Sequence, residues 1–546
     1  MNHIYHLHLL SLLSLALLVG CRQPTAVPVT PTSAPPTETA LRPRATVTSA
    51  PQPTTAVAGA LPTSAAPTPP TAVAADLPAP TLFDIAWDDR SLFRPGLIPA
   101  AQDVLQQLPG ATVYLLDLYL SESLTAVSGM QEIRYTNQEN VPLDQVVFHL
   151  FPNLLGGDIT VQDVTVNGRA VAPILQTANS IMRVPLPAPL LPGAAVVIRC
   201  TFTTLIPTDS QRNYNVFAYQ EDILALAHFY PLVAVYDTPG WRADPPAPQG
   251  DVTYSDTSFY LVRITAPDDL VIAASGYEVM GSDGGRVFAA GPMRDFYLAA
   301  SHDYITLSRQ VGDVTINSFA PARYTEGATA VLDFAAAALT SFGDRFTPYP
   351  FTELDVVSTP TLALGIEYPG IIVNALRIYD LDASSGGLPN RVRLESTTAH
   401  EVGHQWFYSL VGNDQLREPW LDEAVTQYVT YLYYLDTGGP PAAQTFYNAL
   451  EGYWDVVDMA DIAIGLPVAA YNNNEYGGIV YGRGPIFIHQ LAATMGQETF
   501  DAFLRAYVHQ FQWGIATGAD FQNLAEQTCA CNLADLFTTW VFPGNE

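Results

Sequence analysis

The chain has 546 residues, 48% hydrophobic and only 14% charged, a balance that calls for packed globular cores over most of its length. Its 23 basic residues, every one Arg, stand against 53 acidic ones, and the formal charge of -30 argues against nucleic acid or an anionic membrane surface as a partner. Four cysteines are too few for a disulfide scaffold and form no set with zinc-finger spacing.

From the start, Leu9 to Val19 is an apolar run too short to span a bilayer, followed by Leu18-Val19-Gly20-Cys21. This pattern predicts a lipoprotein signal peptide over residues 1–20, removed to leave Cys21 as the lipidated first residue. One departure is that the stretch before the apolar run carries His3, His6 and His8 but no Lys or Arg. Residues 21–80 turn to Pro, Thr, Ala and Ser, with too little apolar surface to offset the entropy of ordering, and predict an extended disordered tether. The expected location is therefore outside the cytoplasm of a bacterium, lipid-anchored at the cell surface or at the periplasmic face of a membrane.

Residues 81–310 begin with a leader holding one helix near Ala100 to Leu108. Short alternating apolar runs follow between turn signals, as in Gln131 to Tyr135, Val161 to Val166, Val196 to Ile198 and Phe259 to Ile264, and predict an all-β domain. Cys200 ends one such run. From about residue 311 the pattern changes: a helix over Thr325 to Ser341, a buried strand over Leu354 to Val357, and an edge strand around Glu367, where Pro369 and Gly370 argue against a central position. A helix over Arg391 to Leu410 capped by Asn390, an Asn/Gly-rich loop over Tyr471 to Gly478, and helices over Asp501 to Val508, Phe521 to Gln527 and Leu533 to Trp540 complete the chain. Cys529 and Cys531, with only Ala530 between them, read as too close for an unstrained bridge in regular structure.

The chemistry is concentrated in His400-Glu401-Val402-Gly403-His404. On a helix His400 and His404 stand one turn apart on one face, so two imidazoles can converge on one ion. A catalytic zinc needs a third protein ligand and an open position, and Glu423, after eighteen intervening residues, is the candidate. Glu401, rotated one residue from the first ligand, can reach a water at the open position without binding the metal and is the expected general base.

The run HEVGHQWFYSLVGNDQLREPWLDEAVTQY resembles the aminopeptidase N family of gluzincins, with Gln-Trp-Phe after the second His, Trp-Leu before the Glu, and Asp422 where the family has Asn. Leu364-Gly365-Ile366-Glu367-Tyr368-Pro369-Gly370 is similar to the family's G-A-M-E-N segment in a diverged form, and Tyr481-Gly482-Arg483-Gly484 to its Y-x-K-G element. Phe148-His149-Leu150-Phe151-Pro152-Asn153 and Val164-Thr165-Val166-Asn167-Gly168 resemble its N-terminal β-saddle.

The resemblance implies an α+β multidomain fold: a saddle over residues 81–310 that walls one side of the cleft, then a thermolysin-like mixed α/β catalytic domain over 311–546 with a mostly helical C-terminal half. It implies one zinc per chain held by His400, His404 and Glu423, with Glu401 as base. It further implies Glu367 as the carboxylate that binds the substrate's free amino group, and Tyr481 as the hydroxyl that stabilises the oxyanion; Tyr476 and Arg483 are secondary candidates. Relatives often carry a further large helical domain beyond the point where this chain ends at Glu546, so a more open site is expected. The expected activity is release of N-terminal residues from peptides, with no obligate protein partner legible. Two alternatives stand beside it, a thermolysin-type endopeptidase and a surface lipoprotein that binds peptides or mediates adhesion with little catalysis.

Overall fold

The computed structural model describes residues 77–209, 212–279 and 285–542, which fall in one compact unit. The signal peptide, Cys21 and the tether up to residue 76 lie outside the described residues. Residues 77–80, expected in the tether, are already packed: Pro78 O accepts from Trp87 Nε1 at 2.9 Å and Ala79 O from Arg199 Nη2 at 2.6 Å. The leader helix is a 3-10 helix over Pro99–Gln106.

The first half is built of strands, as the alternating runs predict. An eight-stranded sheet centres on Thr112–Leu120, whose near-continuous apolar sequence leaves it buried on both faces. That strand pairs in parallel with Ser258–Thr265 and antiparallel with Ala126–Thr136. Stacked Tyr114 and Tyr260, ring centroids 4.6 Å apart, pack the sheet against Tyr230.

Tyr230 belongs to a buried polar chain that fixes the wall facing the second half. Its hydroxyl donates to Asp295 Oδ1 at 2.8 Å, and Asp295 Oδ2 meets His228 Nδ1 at 2.6 Å. His228 Nε2 in turn lies 3.1 Å from Thr253 Oγ1. The loop holding Thr253 begins at Gln249, whose Nε2 reaches across to the carbonyls of Val468 and Tyr471 at 3.2 and 2.7 Å.

The second half holds a five-stranded sheet in the order Tyr304–Val311, Val314–Pro321, Glu353–Thr359, Ile371–Ala375, Gly365–Tyr368. Gly365–Tyr368 is the edge strand, as predicted, and Pro369 and Gly370 form the tight turn into its antiparallel neighbour, with Gly370 at a φ of 75°. Among the described residues seven longer helices follow the sheet's first strands: α1 (Thr325–Arg345), α2 (Asn390–Gly403), α3 (Glu423–Asp455), α4 (Gly484–Met495), α5 (Gln497–Phe511), α6 (Gly518–Cys529) and α7 (Ala534–Trp540). Among the described residues no helix is long and apolar enough to cross a membrane.

Four sequence expectations are corrected. The helix predicted over Arg391 to Leu410 ends at Gly403, and the carbonyls of Tyr408 and Leu410 are taken by the buried Arg294 guanidinium, at 2.8 and 3.3 Å, instead of by a continuing helix. Asn390 does not cap that helix; its amide donates to the carbonyls of Arg377 and Asp380, tying down the preceding loop. The loop predicted over Tyr471 to Gly478 is wound: Asn472 makes a capping box with Glu475, and Tyr476–Arg483 continues as a π-helix. Cys529 and Cys531 are disulfide-bonded with Cα atoms 5.2 Å apart, which Ala530 permits by leaving regular structure at a φ of 49°.

Candidate active site

His400 lies in the last turn of α2, His404 is the residue that caps its C-terminal end, and Glu423 is the first residue of α3. The side chain of Asp422 caps that helix, Oδ1 accepting the Glu423 N–H at 3.0 Å. Close packing brings the two helices together, since a Cβ on Gly403 would stand 2.9 Å from the Thr426 methyl. The result is a triangle of ligand atoms: His400 Nε2 to His404 Nε2 3.1 Å, His400 Nε2 to Glu423 Oε2 3.2 Å, and His404 Nε2 to Glu423 Oε2 3.4 Å. A tetrahedral zinc with ligands about 2.0–2.1 Å away has them roughly 3.3 Å apart.

The protonation pattern fits a cation as well as the spacing does. His404 Nδ1 lies 3.0 Å from Phe407 O, which can only accept, so Nδ1 carries a proton and Nε2 is the nitrogen turned to the triangle, free to bind a cation once its own proton leaves. Against burial, which lowers it, the Glu367, Glu423 and Glu401 carboxylates hold the His404 imidazole well above its ordinary range, so a cation placed in the triangle would take the place of that proton. Two imidazoles and one carboxylate, with a fourth position left open, are a donor set for catalytic zinc. Against the effect of burial, the two imidazoles hold the Glu423 carboxyl below its ordinary range.

Glu401 is buried on the same helix and does not join the triangle. Its carboxylate lies against Gly365 of the edge strand so closely that any Cβ there would overlap it. Burial first, and then the neighbouring Glu367 and Glu423 carboxylates, push the Glu401 carboxyl well above its ordinary range, which suits a group that takes and returns a proton. The Tyr481 hydroxyl donates to Glu423 Oε1, the oxygen turned away from the imidazoles. Tyr476 packs beside it with ring centroids 5.6 Å apart, and its buried hydroxyl has no partner among the described residues. Arg483, a secondary site candidate, is placed elsewhere: its guanidinium packs on Trp540, pairs with Asp461 and donates to the carbonyl of Ile462, so it anchors the C-terminal helices.

Glu367 projects from the edge strand and is buried at 6% exposure, with burial pushing its carboxyl well up. Ligand-capable atoms of Glu367, His404 and Asp422 all lie within 4.8 Å of one another. Beside Glu367 a small cavity is walled from both halves of the molecule, by Gly250, Asp251 and Thr253 on one side and Ile366, Tyr408 and Gln415 on the other.

Asp251 and Gln415 were not found by sequence reasoning. Asp251 carried one weak mark, the Gly250-Asp251 pair that permits a turn, with Gly250 at a φ of 78° where the Tyr476 hydroxyl approaches. Gln415 carried none, because its partners are brought to it only by the fold.

Residues 330–540 match the family profile described as the peptidase family M1 domain. Among curated relatives, aminopeptidase M1 of Arabidopsis thaliana is 23% identical over 453 residues, 78% of this chain and 49% of its own length. Aminopeptidase M1-B of Oryza sativa subsp. japonica is 28% identical over 226 residues, 38% of this chain and 25% of its own, and aminopeptidase N of Lactococcus lactis subsp. lactis is 22% identical over 231 residues, 38% and 26%. The chain thus spans no more than about half of the length of these curated relatives. The fold is shared with the M1 zinc metallopeptidase from Deinococcus radiodurans, with a TM-score of 0.56 and 19% identity across 84% of this chain and 96% of that one. A mutant of that enzyme bound to a Tyr-ser-ala substrate gives a TM-score of 0.58 and 21% identity over 83% and 95%. Residues 330–540 thus carry a peptidase family M1 domain, through which the chain is similar to the aminopeptidases M1 and N.

Proposed function

We propose that this chain is a zinc aminopeptidase that releases N-terminal residues from peptides outside the cytoplasm. The observation that carries the reading is the buried Glu367 carboxylate set beside the His400–His404–Glu423 triangle without belonging to it. A buried carboxylate that lines a cleft beside a metal site is suited to pair with a cation, and a substrate ammonium supplies that charge. That related structures were solved with L-tryptophan, L-arginine and a Tyr-ser-ala substrate supports the same substrate class here.

Zinc held by His400, His404 and Glu423 would supply Lewis acidity, lowering the pKa of water to about 7 and polarising a peptide carbonyl. Glu401 accepts the proton of the attacking water on its carboxylate and passes it to the departing amine. Tyr481, once its hydroxyl turns from Glu423 to the substrate, donates to the oxygen on which negative charge develops. Glu367 pairs with the ammonium, so that the first peptide bond is the one presented to Glu401.

The test uses the protein from residue 77, loaded with zinc, on one peptide with a free amino terminus and its acetylated twin. Release of the first residue from the free peptide only, abolished in Glu401→Gln and weakened in Glu367→Ala, is the expected result. Cleavage of both peptides would make the enzyme an endopeptidase, and cleavage of neither by the zinc-bound protein would leave a binding protein. Anchoring through Cys21 is part of the same proposal: full-length protein should fractionate with membranes and Cys21→Ser should not.

A further inference from the structure

Gln415 lies in the segment between α2 and α3 and is 2% exposed. Its Nε2 donates to Glu367 Oε1 at 2.9 Å and to Asp422 Oδ2 at 2.7 Å. Both partners are carboxylate oxygens, and once a bound cation replaces the protons that burial holds on them, turning the amide over would set its own carbonyl against two acceptors. Its orientation is therefore fixed, with both N–H groups used.

What remains is the carbonyl oxygen. Gln415 Oε1 is buried and has no hydrogen-bond partner among the described residues, although the residue lines the same cavity as Glu367 and Asp251. Leaving a buried acceptor unpaired costs free energy, and such an atom in a cleft marks a place where a ligand donor arrives. The donor that the cavity's carboxylates favour is a cation with more than one N–H to give. A primary ammonium has three.

We propose that Gln415 is a recognition residue for the N-terminal ammonium of the substrate, pinning Glu367 with its amide N–H groups and accepting one ammonium N–H on its carbonyl oxygen. This rests on the aminopeptidase reading above and deepens it. It also gives Asp422 a use. Its Oδ2 holds the Gln415 amide while Oδ1 caps α3 at Glu423, so one side chain ties the ammonium's register to the helix that begins on a metal ligand.

The test compares the zinc-loaded wild type with Gln415→Met and with Gln415→Leu, each of which removes both polar ends of the side chain while keeping it large. Each is assayed with an amino-acid p-nitroanilide. Each is also assayed for competition by the free amino acid and by its N-acetyl form, with zinc content measured in parallel. Loss of a charge-assisted hydrogen bond predicts that both variants bind the free amino acid roughly ten- to a hundredfold more weakly and show a matching rise in KM. kcat should stay within about threefold, and zinc content and binding of the N-acetyl form should match wild type. Equal weakening toward both amino-acid forms, or wild-type affinity for the free one in either folded variant, would overturn the proposal. A wild type that itself fails to prefer the free amino acid would instead sink the aminopeptidase reading, before any variant is compared.

Discussion

Gly365 shows how much of this site depends on what a residue lacks. It lies in the edge strand two positions before Glu367, and the Glu401 carboxylate occupies the space its side chain would fill. Gly365→Ala should therefore push the proposed base out of line while leaving the metal ligands alone. A displacement on the order of 1 Å at a reacting group costs about a hundredfold in rate, so kcat should fall by at least that much, with zinc content and circular dichroism unchanged. Wild-type kcat in that variant would remove Glu401 from the role assigned to it. The sequence carried Gly365 inside the diverged G-A-M-E-N-like segment, yet only the close approach of the edge strand to α2 shows why a glycine stands there.

At the level of elements, α2 and α3 were legible because their evidence is local. The i,i+4 spacing of His400 and His404 needs only a helix, and the burial of Leu354 to Val357 follows from an apolar run between turn signals. What holds the segment after α2 was not legible, because Arg294, which binds it, sits more than a hundred residues away. Arg294, fully enclosed, donates to the carbonyls of Ser255, Tyr408, Leu410 and Gly514 and packs so tightly on Gly412 that no side chain fits there. Removing it leaves several buried carbonyls unpaired at once. Arg294→Met should cost at least about 3 kcal/mol in chemical denaturation. Arg309→Met, which breaks an exposed pair with Asp333, should stay within about 1 kcal/mol of wild type. Similar costs for the two would show that the Arg294 contacts do not secure the segment after α2. The π-helix at Tyr476–Arg483 escaped prediction for a related reason: its Gly477-Gly478 pair reads as loop, while Gly478 and Gly482 pack closely on Tyr453 of α3.

Across the whole molecule, the buried acids make stability depend on the metal and on pH together. Burial raises the carboxyls of Glu401, Glu367, Asp251 and Asp422, the last from 3.8 to about 8. An acid with a raised folded pKa binds more protons folded than unfolded, so its contribution falls as pH rises through the window between the two values. His404, held high by the same carboxylates despite its burial, changes stability in the same direction. His400, lowered by burial, opposes it below its ordinary value. The zinc-free protein should therefore lose thermal stability from about pH 4 to about pH 8, and zinc should flatten that slope by taking the place of the protons. Parallel curves with and without zinc would mean that these acids do not share the ion's field.

The Gln249 loop sets a different limit. The zinc ligands and Glu401 are all contained in residues 400–423, a segment short enough to be inherited or transplanted as one piece. The proposed measure of where a peptide begins is not so contained: its residues are distributed between a loop of the β half, an edge strand and the link between two helices, with Gln249 tying that loop to the helical half. A lineage that kept the first and loosened the second would still cut peptides, but it would no longer count from their ends.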